Sequence, residues 1–307
     1  TVYIAIFKKK YDIIIVHHTS PFFVSIHPIV YSFFHKSKKI LWELDLWPET
    51  LRDINIIKSP IFFKKIEKII TKIYSYYDKI LVSSYSFKKI VEKRFKGDVL
   101  YFPNWADSEI ENLEYISLNL KIPKDTFRIM YTGNIGTVQN FQKLTDSLYD
   151  LRNNKIHWIF VGAGRFLNEF KKLTEKRNIQ NYCTFIPRVK VNQIPSYARY
   201  ADCMYLSLND SEIFKKTVPA KLQTYLALGK PILAVISGEG ASIITDAKCG
   251  YVNQNNNFVD FSKLVIKMSE LNDNELKKMG ENSLNYYKIN FNSSNRKIEI
   301  FNLLEQI

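Results

Sequence analysis

The stretch over residues 214–240, FKKTVPAKLQTYLALGKPILAVISGEG, commits the chain to mixed α/β structure. Its pattern predicts a loop, a helix and then a strand buried on both faces. Pro219 is expected in the first helical turn, where a missing N–H costs nothing and the fixed φ suits the helix. Gly229 is expected to close the helix, Pro231 leads into the apolar run 232–236, and Gly238-Glu239-Gly240 makes a second turn that opens another helix. Lys215, Lys216, Thr217 and Lys221 are expected to crowd the helix start. The unpaired N–H donors and the positive end of the helix dipole already favour an anion there, so added cations make a phosphate site. Lysines alone would fit a solvated basic cap on an ordinary helix; Thr217, Pro219 and the paired glycine turns favour the site.

The same pattern recurs along the chain. Apolar runs at 11–17 (YDIIIVH), 39–44, 79–83 and 98–102 alternate with helical segments, among them the basic amphipathic stretch 58–76. After a polar segment the pattern begins afresh, with strands expected at 127–132, 156–161, 183–186, 203–208, 232–236 and 250–252, and helices closing the chain at 258–271 and 274–291. Alternating strands and helices imply right-handed βαβ units and parallel sheets. The expected division is a first domain at 1–107, a linker at 108–124, a second domain at 125–280 and a C-terminal helix at 281–307 returning toward the first. Residues 1–10 read as the end of a helix. In open parallel sheets ligands bind beyond the carboxyl ends of the strands. Gly133, Asn134 and Gly136, Gly162 and Gly164, Arg188, the lysine group, and Gly238, Glu239 and Gly240 all follow strands directly, so they are expected along one edge of the second sheet. Glycine at such turns lets a ligand approach the backbone and frees N–H groups at helix starts.

The chain has 307 residues, 46% hydrophobic and 24% charged, which excludes disorder and leaves room for two domains. Its net charge of +14 is uneven: residues 1–100 carry 18 Lys or Arg against 9 Asp or Glu, and within 58–96 the ratio is 11 to 3 with eight aromatics interleaved. Such a face suits an anionic membrane or a phosphorylated substrate, or is simply solvated. No nucleic-acid module is present, so nucleic acid is not an expected partner. Cys183, Cys203 and Cys249 form neither a disulfide framework nor a metal-ligand cluster, which points to a reducing, cytoplasmic setting. The apolar segment 13–34 is interrupted by His17, His18, Pro21, His27 and Pro28 and reads as neither a signal peptide nor a spanning helix, so any membrane contact is expected to be peripheral.

DIIIVHHTSP, WELDLWPET at 42–50, FPNWAD at 102–107, YTGNIG at 131–136, FVGAG at 160–164, TVPAKLQTYLALGKPILA at 217–234 and GEGASIITDAKCG at 238–250 together resemble the bacterial glycosyltransferases of GT-B architecture, and within them glycosyltransferase family 4. The likeness is to the branch that builds cell-surface polysaccharides such as capsule and O-antigen, including N-acetyl-fucosamine transferases. It implies an α/β fold of two facing Rossmann-like domains with parallel sheets. Family members carry a further strand, glycine-rich loop and helix ahead of the DIIIV strand, so the resemblance implies a first domain lacking its N-terminal half, in a chain that is a fragment or an incomplete gene product.

The resemblance also implies a nucleotide diphosphate sugar donor, UDP-linked, held by the second domain. The base would lie near Pro187 and Arg188, the ribose near Gly162 and Gly164, and the diphosphate on the helix start at 217–221. Two glutamates that the family spaces by seven residues are replaced by Lys216 and Thr224, and the Arg and Lys that follow its first glycine loop are replaced near Asn134 and Gln139. Lys216 and Lys221 would then neutralise the diphosphate, with Thr224 or Glu239 near the ribose. No cofactor or metal is expected, since the chain has no DxD pair and lysines take the place of a cation. His17 would hydrogen-bond the transferred sugar, or is a histidine satisfied at a strand end. Asp45 would orient or deprotonate the hydroxyl of a polyprenyl-diphosphate-linked or saccharide acceptor. Family membership implies retention of anomeric configuration, and the basic aromatic helix would hold the enzyme at the anionic inner leaflet. Two other functions fit the same architecture: a nucleotide-sugar 2-epimerase, and a non-catalytic sugar-nucleotide-binding remnant or partner subunit.

Overall fold

Apolar runs of four to six residues pair in parallel and sort the chain into two sheets. The computed structural model describes residues 10–111 and 115–306. The helix end expected at 1–10 lies, apart from Lys10, outside the described residues, as do 112–114 of the expected linker and the last residue of the expected C-terminal helix.

In the first sheet β1 (Ile13–His18), β2 (Lys38–Glu43), β3 (Lys79–Val82) and β4 (Asp98–Tyr101) lie side by side in chain order, all parallel. Between β2 and β3 runs the helix Pro60–Tyr74, started by Ser59, whose side chain accepts from the Phe62 N–H, and by Pro60 in the first turn. Leu41, Ile80 and Val82 of the sheet pack with Tyr74 and Phe87 in the core of this unit.

The second sheet holds β5 (Phe127–Thr132), β6 (Ile156–Val161), β7 (Cys183–Ile186), β8 (Cys203–Ser207), β9 (Ile232–Val235) and β10 (Gly250–Asn253). All six residues of β6 are buried, which is why its sequence is a continuous apolar run and does not alternate. His157 is accommodated there because its Nε2 lies 2.8 Å from Thr184 Oγ1, and burial lowers its pKa. The strand order is β10-β9-β8-β5-β6-β7. From β5 the chain builds outward through β6 and β7, then returns to β8 on the other side and continues through β9 and β10. The order therefore reverses between β5 and β8, where open α/β sheets take their ligands.

By contacts the chain divides into two units, one of Thr1–Asn104, Ser211–Val218 and Ser294–Ile307, the other of Trp105–Asp210 and Pro219–Ser293. Burial of Ile213 in the first unit's core explains why the short helix Glu212–Lys216 joins that unit. The expected fold class, α/β with parallel sheets, is what the structure shows. Three local expectations are corrected. Pro219 is the N-cap, with extended ψ of 133°, and the helix proper runs Ala220–Ala227. Lys215 and Lys216 belong to the separate helix Glu212–Lys216, which Ile213 and Phe214 dock in the first unit, and not to the first turn of Ala220–Ala227. The chain also ends in two helices, Asp273–Asn290 and Ser293–Glu305, and does not run as one from 281.

Within the second unit Glu111 ties the start of the unit to its last helix. Its carboxylate accepts from the Tyr287 hydroxyl at 2.7 Å and the Ser293 N–H at 2.8 Å, and the same Tyr287 oxygen accepts from the Ala106 N–H at 3.0 Å. Tyr287→Phe is expected to destabilise this unit by about 1–3 kcal/mol in denaturant titration, because it strands a buried N–H and one carboxylate contact. Lys263→Ala, which removes the exposed ion pair to Asp260, is expected to change stability by less than about 0.5 kcal/mol in the same titration.

Candidate functional site

A cleft of about 500 Å³ opens at the carboxyl ends of β5, β6 and β7. Gly133, Asn134, Gly162, Gly164 and Arg188 line it, so five of the residues singled out in the sequence converge in one place. The glycines hold the adjoining loops in contact. A Cβ on Gly162 would sit 2.0 Å from the Gly133 carbonyl oxygen, and one on Gly164 would sit 2.1 Å from that of Ile135. Hydrogen bonds carry the sheet ladder past the strand ends into these loops: Gly133 N–H to the Val161 carbonyl, Ile135 N–H to Ala163, and Gly162 N–H to Ile186, each at 2.9 Å. The expectation that these glycines free their N–H groups is thus corrected for Gly133 and Gly162, whose N–H groups extend the sheet. Gly136 also gives its N–H away, to Gln139 Oε1 at 2.9 Å, so Gln139 shapes the loop it follows.

Lys221 is placed by the helix it begins. One turn later on the same face, the buried hydroxyl of Tyr225 accepts from the Thr132 N–H at 3.0 Å, which pins the helix to the end of β5. Lys221 consequently lies against Gly133: a Cβ there would come within 2.6 Å of its Cε and 3.4 Å of its Nζ. The φ of Gly133 is +119°, so a larger residue would be strained as well as crowded. The amine of Lys221 lies 5.0 Å from the centre of the Tyr131 ring and has no carboxylate partner among the described residues. Burial lowers its pKa to about 8. A desolvated cation against a ring face, at the positive end of a helix dipole, is arranged to take an anion.

The other expected donor residues are not among those that line this cleft. Lys216 accepts from Ser84 Oγ through its carbonyl at 2.7 Å, and Thr217 spends its hydroxyl on the Ile213 carbonyl at 2.8 Å, both within the first unit. Thr224 points its hydroxyl back along its own helix, 3.5 Å from the Ala220 carbonyl. Gly238, with φ of +75°, is the N-cap of Glu239–Asp246, the helix that holds Glu239 and Gly240, and it follows β9 at the same sheet edge.

In the first unit His17 is exposed at the end of β1 and stands edge-on to Trp42 at 5.0 Å, its pKa lowered by partial burial and then by His18. Asp45 accepts from the Ser20 N–H at 2.8 Å and so braces the loop after β1 against the loop after β2. The sequence reading passed over His18. This neighbour is fully buried, with Nδ1 2.5 Å from Glu43 Oε1, and Glu43 Oε2 accepts from the Tyr74 hydroxyl at 2.9 Å. Burial raises the Glu43 pKa, and His18 Nε2 has no partner among the described residues. Period-two alternation along β1 puts His17 and His18 on opposite faces, but only the packing tells which one meets a carboxylate.

A family model described as glycosyl transferases group 1 matches residues 115–286. Among curated proteins, WcaI of Escherichia coli (strain K12), which carries the name of a colanic acid biosynthesis glycosyl transferase, is 27% identical over 52% of this chain and 40% of its own length. WbjE of Pseudomonas aeruginosa, which carries the name of a glycosyltransferase, is 23% identical over 76% of this chain and 60% of its own. The chain thus spans about half the length of the curated relatives it matches. Among solved structures, HepE of Anabaena in complex with UDP-glucose superposes with a TM-score of 0.72 at 14% identity, over 97% of this chain and 79% of its own. Sucrose-phosphate synthase of Thermosynechococcus elongatus gives 0.75 at 13% identity, over 96% of this chain and 73% of its own. At these identities the two structures speak for the fold alone.

The glycine contacts separate two roles by experiment. Gly164→Ala is expected to cost about 2–3 kcal/mol of stability with no ligand present, since its Cβ meets backbone that cannot step aside. Gly136→Ala should cost less than about 1 kcal/mol, because its Cβ meets only the side-chain ends of Asn134 and Gln139; denaturant titration of both variants checks the contrast.

Proposed function

The chain belongs to the glycosyl transferases group 1 family, and we propose that it moves a sugar from a nucleoside diphosphate sugar to a saccharide or lipid-linked acceptor during cell-surface polysaccharide synthesis. The observation that carries the donor side of this reading is Lys221, a cation with no carboxylate partner among the described residues, at a helix start beside the cleft. The donor is read as UDP-linked, in line with the UDP-glucose bound by HepE. The acceptor and the setting, a surface polysaccharide built at the inner face of the cell membrane, follow the colanic acid name of WcaI and the resemblance in the sequence. The transfer is read as retaining on that resemblance.

In this reading the diphosphate lies at the start of Ala220–Ala227, against Lys221 and the helix dipole, and the nucleoside lies in the cleft along Gly162 and Gly164 toward Arg188. Negative charge grows on the departing diphosphate as the glycosidic bond to it breaks. A fixed cation in a partly desolvated place stabilises that charge more than it stabilises the bound donor, which is what accelerates the step. The Tyr225 clamp supplies rigidity, so Lys221 needs little reorganisation as the charge moves. His17 and Asp45, at the carboxyl ends of β1 and β2, are the residues proposed for the acceptor side.

The test begins with UDP as probe, by calorimetry, and continues with UDP release from UDP-sugars in the presence and absence of a polyprenyl-diphosphate-linked acceptor. UDP release that requires acceptor supports transfer; failure of UDP to bind at millimolar concentration overturns the donor reading. Lys221→Met is expected to weaken UDP binding roughly 10- to 150-fold, the range for a lost charge-assisted contact. Because Lys221 carries its charge only below a pKa of about 8, UDP affinity in the wild type should hold below that pH and fall above it. The fall near pH 8 should be absent in Lys221→Met. With a lysine in the place of a metal, chelator should leave UDP affinity unchanged.

A further inference from the structure

We propose that His18, Glu43 and Tyr74 form a buried relay that positions His17 and Asp45 for the attacking hydroxyl of the acceptor, an inference that rests on the acceptor role proposed for those two residues. His18 and Glu43 are the last residues of β1 and β2 and stand opposite each other in the sheet register. Both side chains are wholly out of water, as is Tyr74 at the end of the helix Pro60–Tyr74. The imidazole takes one carboxylate oxygen and the tyrosine hydroxyl the other, so two strand ends and one helix end meet on Glu43. The His18 ring otherwise packs nearly perpendicular to Phe22, with centroids 4.8 Å apart, and its Nε2 meets no hydrogen-bond partner among the described residues. Three apolar side chains would fill this space without stranding Nε2 or desolvating a carboxylate, and such exchanges are commonly neutral or stabilising. Stability alone does not account for the relay; its place does.

The relay adjoins both proposed acceptor residues. His17 precedes His18 on the opposite face of β1, and Asp45 follows Glu43 by two residues. The Leu44 N–H donates to the His18 carbonyl at 3.0 Å, which carries the ladder to the point where both loops begin. Asp45 then reaches back to the Ser20 N–H, Ser20 Oγ accepts from Trp47 Nε1 at 3.0 Å, and the Trp47 carbonyl accepts from Arg94 Nη1 at 3.2 Å. Charge links the inner and outer residues as well. A carboxylate as deep as Glu43 calls for a positive partner, and a proton on His18 supplies it. Burial is the larger cause of the lowered His17 pKa, and the neighbouring charge on His18 is the second. For Glu43 burial pushes the pKa up against the pull of His18 and Tyr74, with Asp45 adding a smaller push. The other titratable groups that face the pair are Tyr77, whose hydroxyl donates to the Ser25 carbonyl, and, behind Tyr74, Arg94 with Glu49. His17 itself faces the Trp42 ring. Kept neutral, the His17 ring retains a lone pair with which to accept from a sugar hydroxyl.

The experiment follows His17 by NMR of ring-labelled histidine in the full chain, assigned by His17→Gln, alongside UDP release from a UDP-sugar with a polyprenyl-diphosphate-linked acceptor. The wild-type His17 midpoint is expected below the ordinary histidine value of about 6.5. In Glu43→Gln the buried imidazole loses its counter-ion and gives up its proton, so the His17 midpoint should rise toward that value. Tyr74→Phe, which keeps the charged pair, should leave the midpoint where it is. His18→Leu, Glu43→Met and Tyr74→Phe combined replace the relay by an apolar core, which should fold with undiminished stability. In that triple variant the His17 midpoint is expected to rise and the acid limb of the pH profile to move up with it. Acceptor kcat/KM should fall by up to about a hundredfold through misplacement, with KM for the UDP-sugar unchanged. Full transfer by the triple variant, or a His17 midpoint that neither it nor Glu43→Gln moves, would overturn the proposal. An equal rise in Tyr74→Phe would do the same, because loosened packing would then be the cause. Should the triple variant fold poorly, Glu43→Gln decides through the His17 midpoint and the same split between acceptor and donor. A wild type that binds UDP but transfers to no acceptor overturns the acceptor reading and the relay's role with it, whereas transfer with an unmoved His17 overturns the relay alone.

Discussion

The hydroxyl of Tyr225 on the backbone of Thr132 is the contact on which the candidate donor site depends. It joins the end of β5 to the helix that follows β8, the two elements that flank the reversal of strand order. With Tyr225 held, Lys221 one turn earlier has one place to go, and only a glycine at 133 leaves room for it. The Tyr131 ring then takes one side of the amine, and its hydroxyl donates to the Asn134 carbonyl at 2.5 Å, fixing the loop in which Gly133 sits. The lysine is thus partly stripped of water by its own scaffold, and its lowered pKa records the cost. In the proposed reading a bound diphosphate would reverse that cost and so favour an anion at the site.

The glycine loops contribute geometry to this site more than donors. Gly162 and Gly164 let neighbouring backbone segments touch, so the loops after β5 and β6 form one continuous rim. A nucleoside lying along that rim meets a surface set before it arrives, with Arg188 exposed at its far end. In the first unit a comparable economy operates around Arg94, where two carboxylates converge on one guanidinium and pairing offsets the cost of burial. That arrangement draws Glu67, the one carboxylate of the helix Pro60–Tyr74, inward to the guanidinium.

Strand and turn positions were legible in the sequence because they follow local rules: continuous apolar runs for strands buried on both faces, and glycine directly after them. The convergence of Gly133, Gly162, Gly164 and Arg188 followed from placing strand ends on one sheet edge. What stayed hidden depends on packing between distant segments. Lys215 and Lys216 are near Lys221 in sequence, yet they lie on a separate short helix that Ile213 anchors in the first unit's core. His17 and His18 are equivalent to a pattern of alternation, and only the position of Glu43 on β2 distinguishes them. Glycine after a strand is equally suited to a ligand or to another backbone, and here carbonyl oxygens at about 2 Å from the missing Cβ atoms show that backbone takes the space at 162 and 164.

The most direct test of this account is the titration of the Lys221 side chain itself, followed by NMR of labelled lysine and assigned by Lys221→Met, without and with saturating UDP. The account predicts a midpoint near 8 in the free chain that moves up toward the ordinary lysine range of about 10.4 when UDP binds, because a diphosphate restores the charge that burial disfavours. A midpoint already near the ordinary value and unmoved by UDP would contradict it.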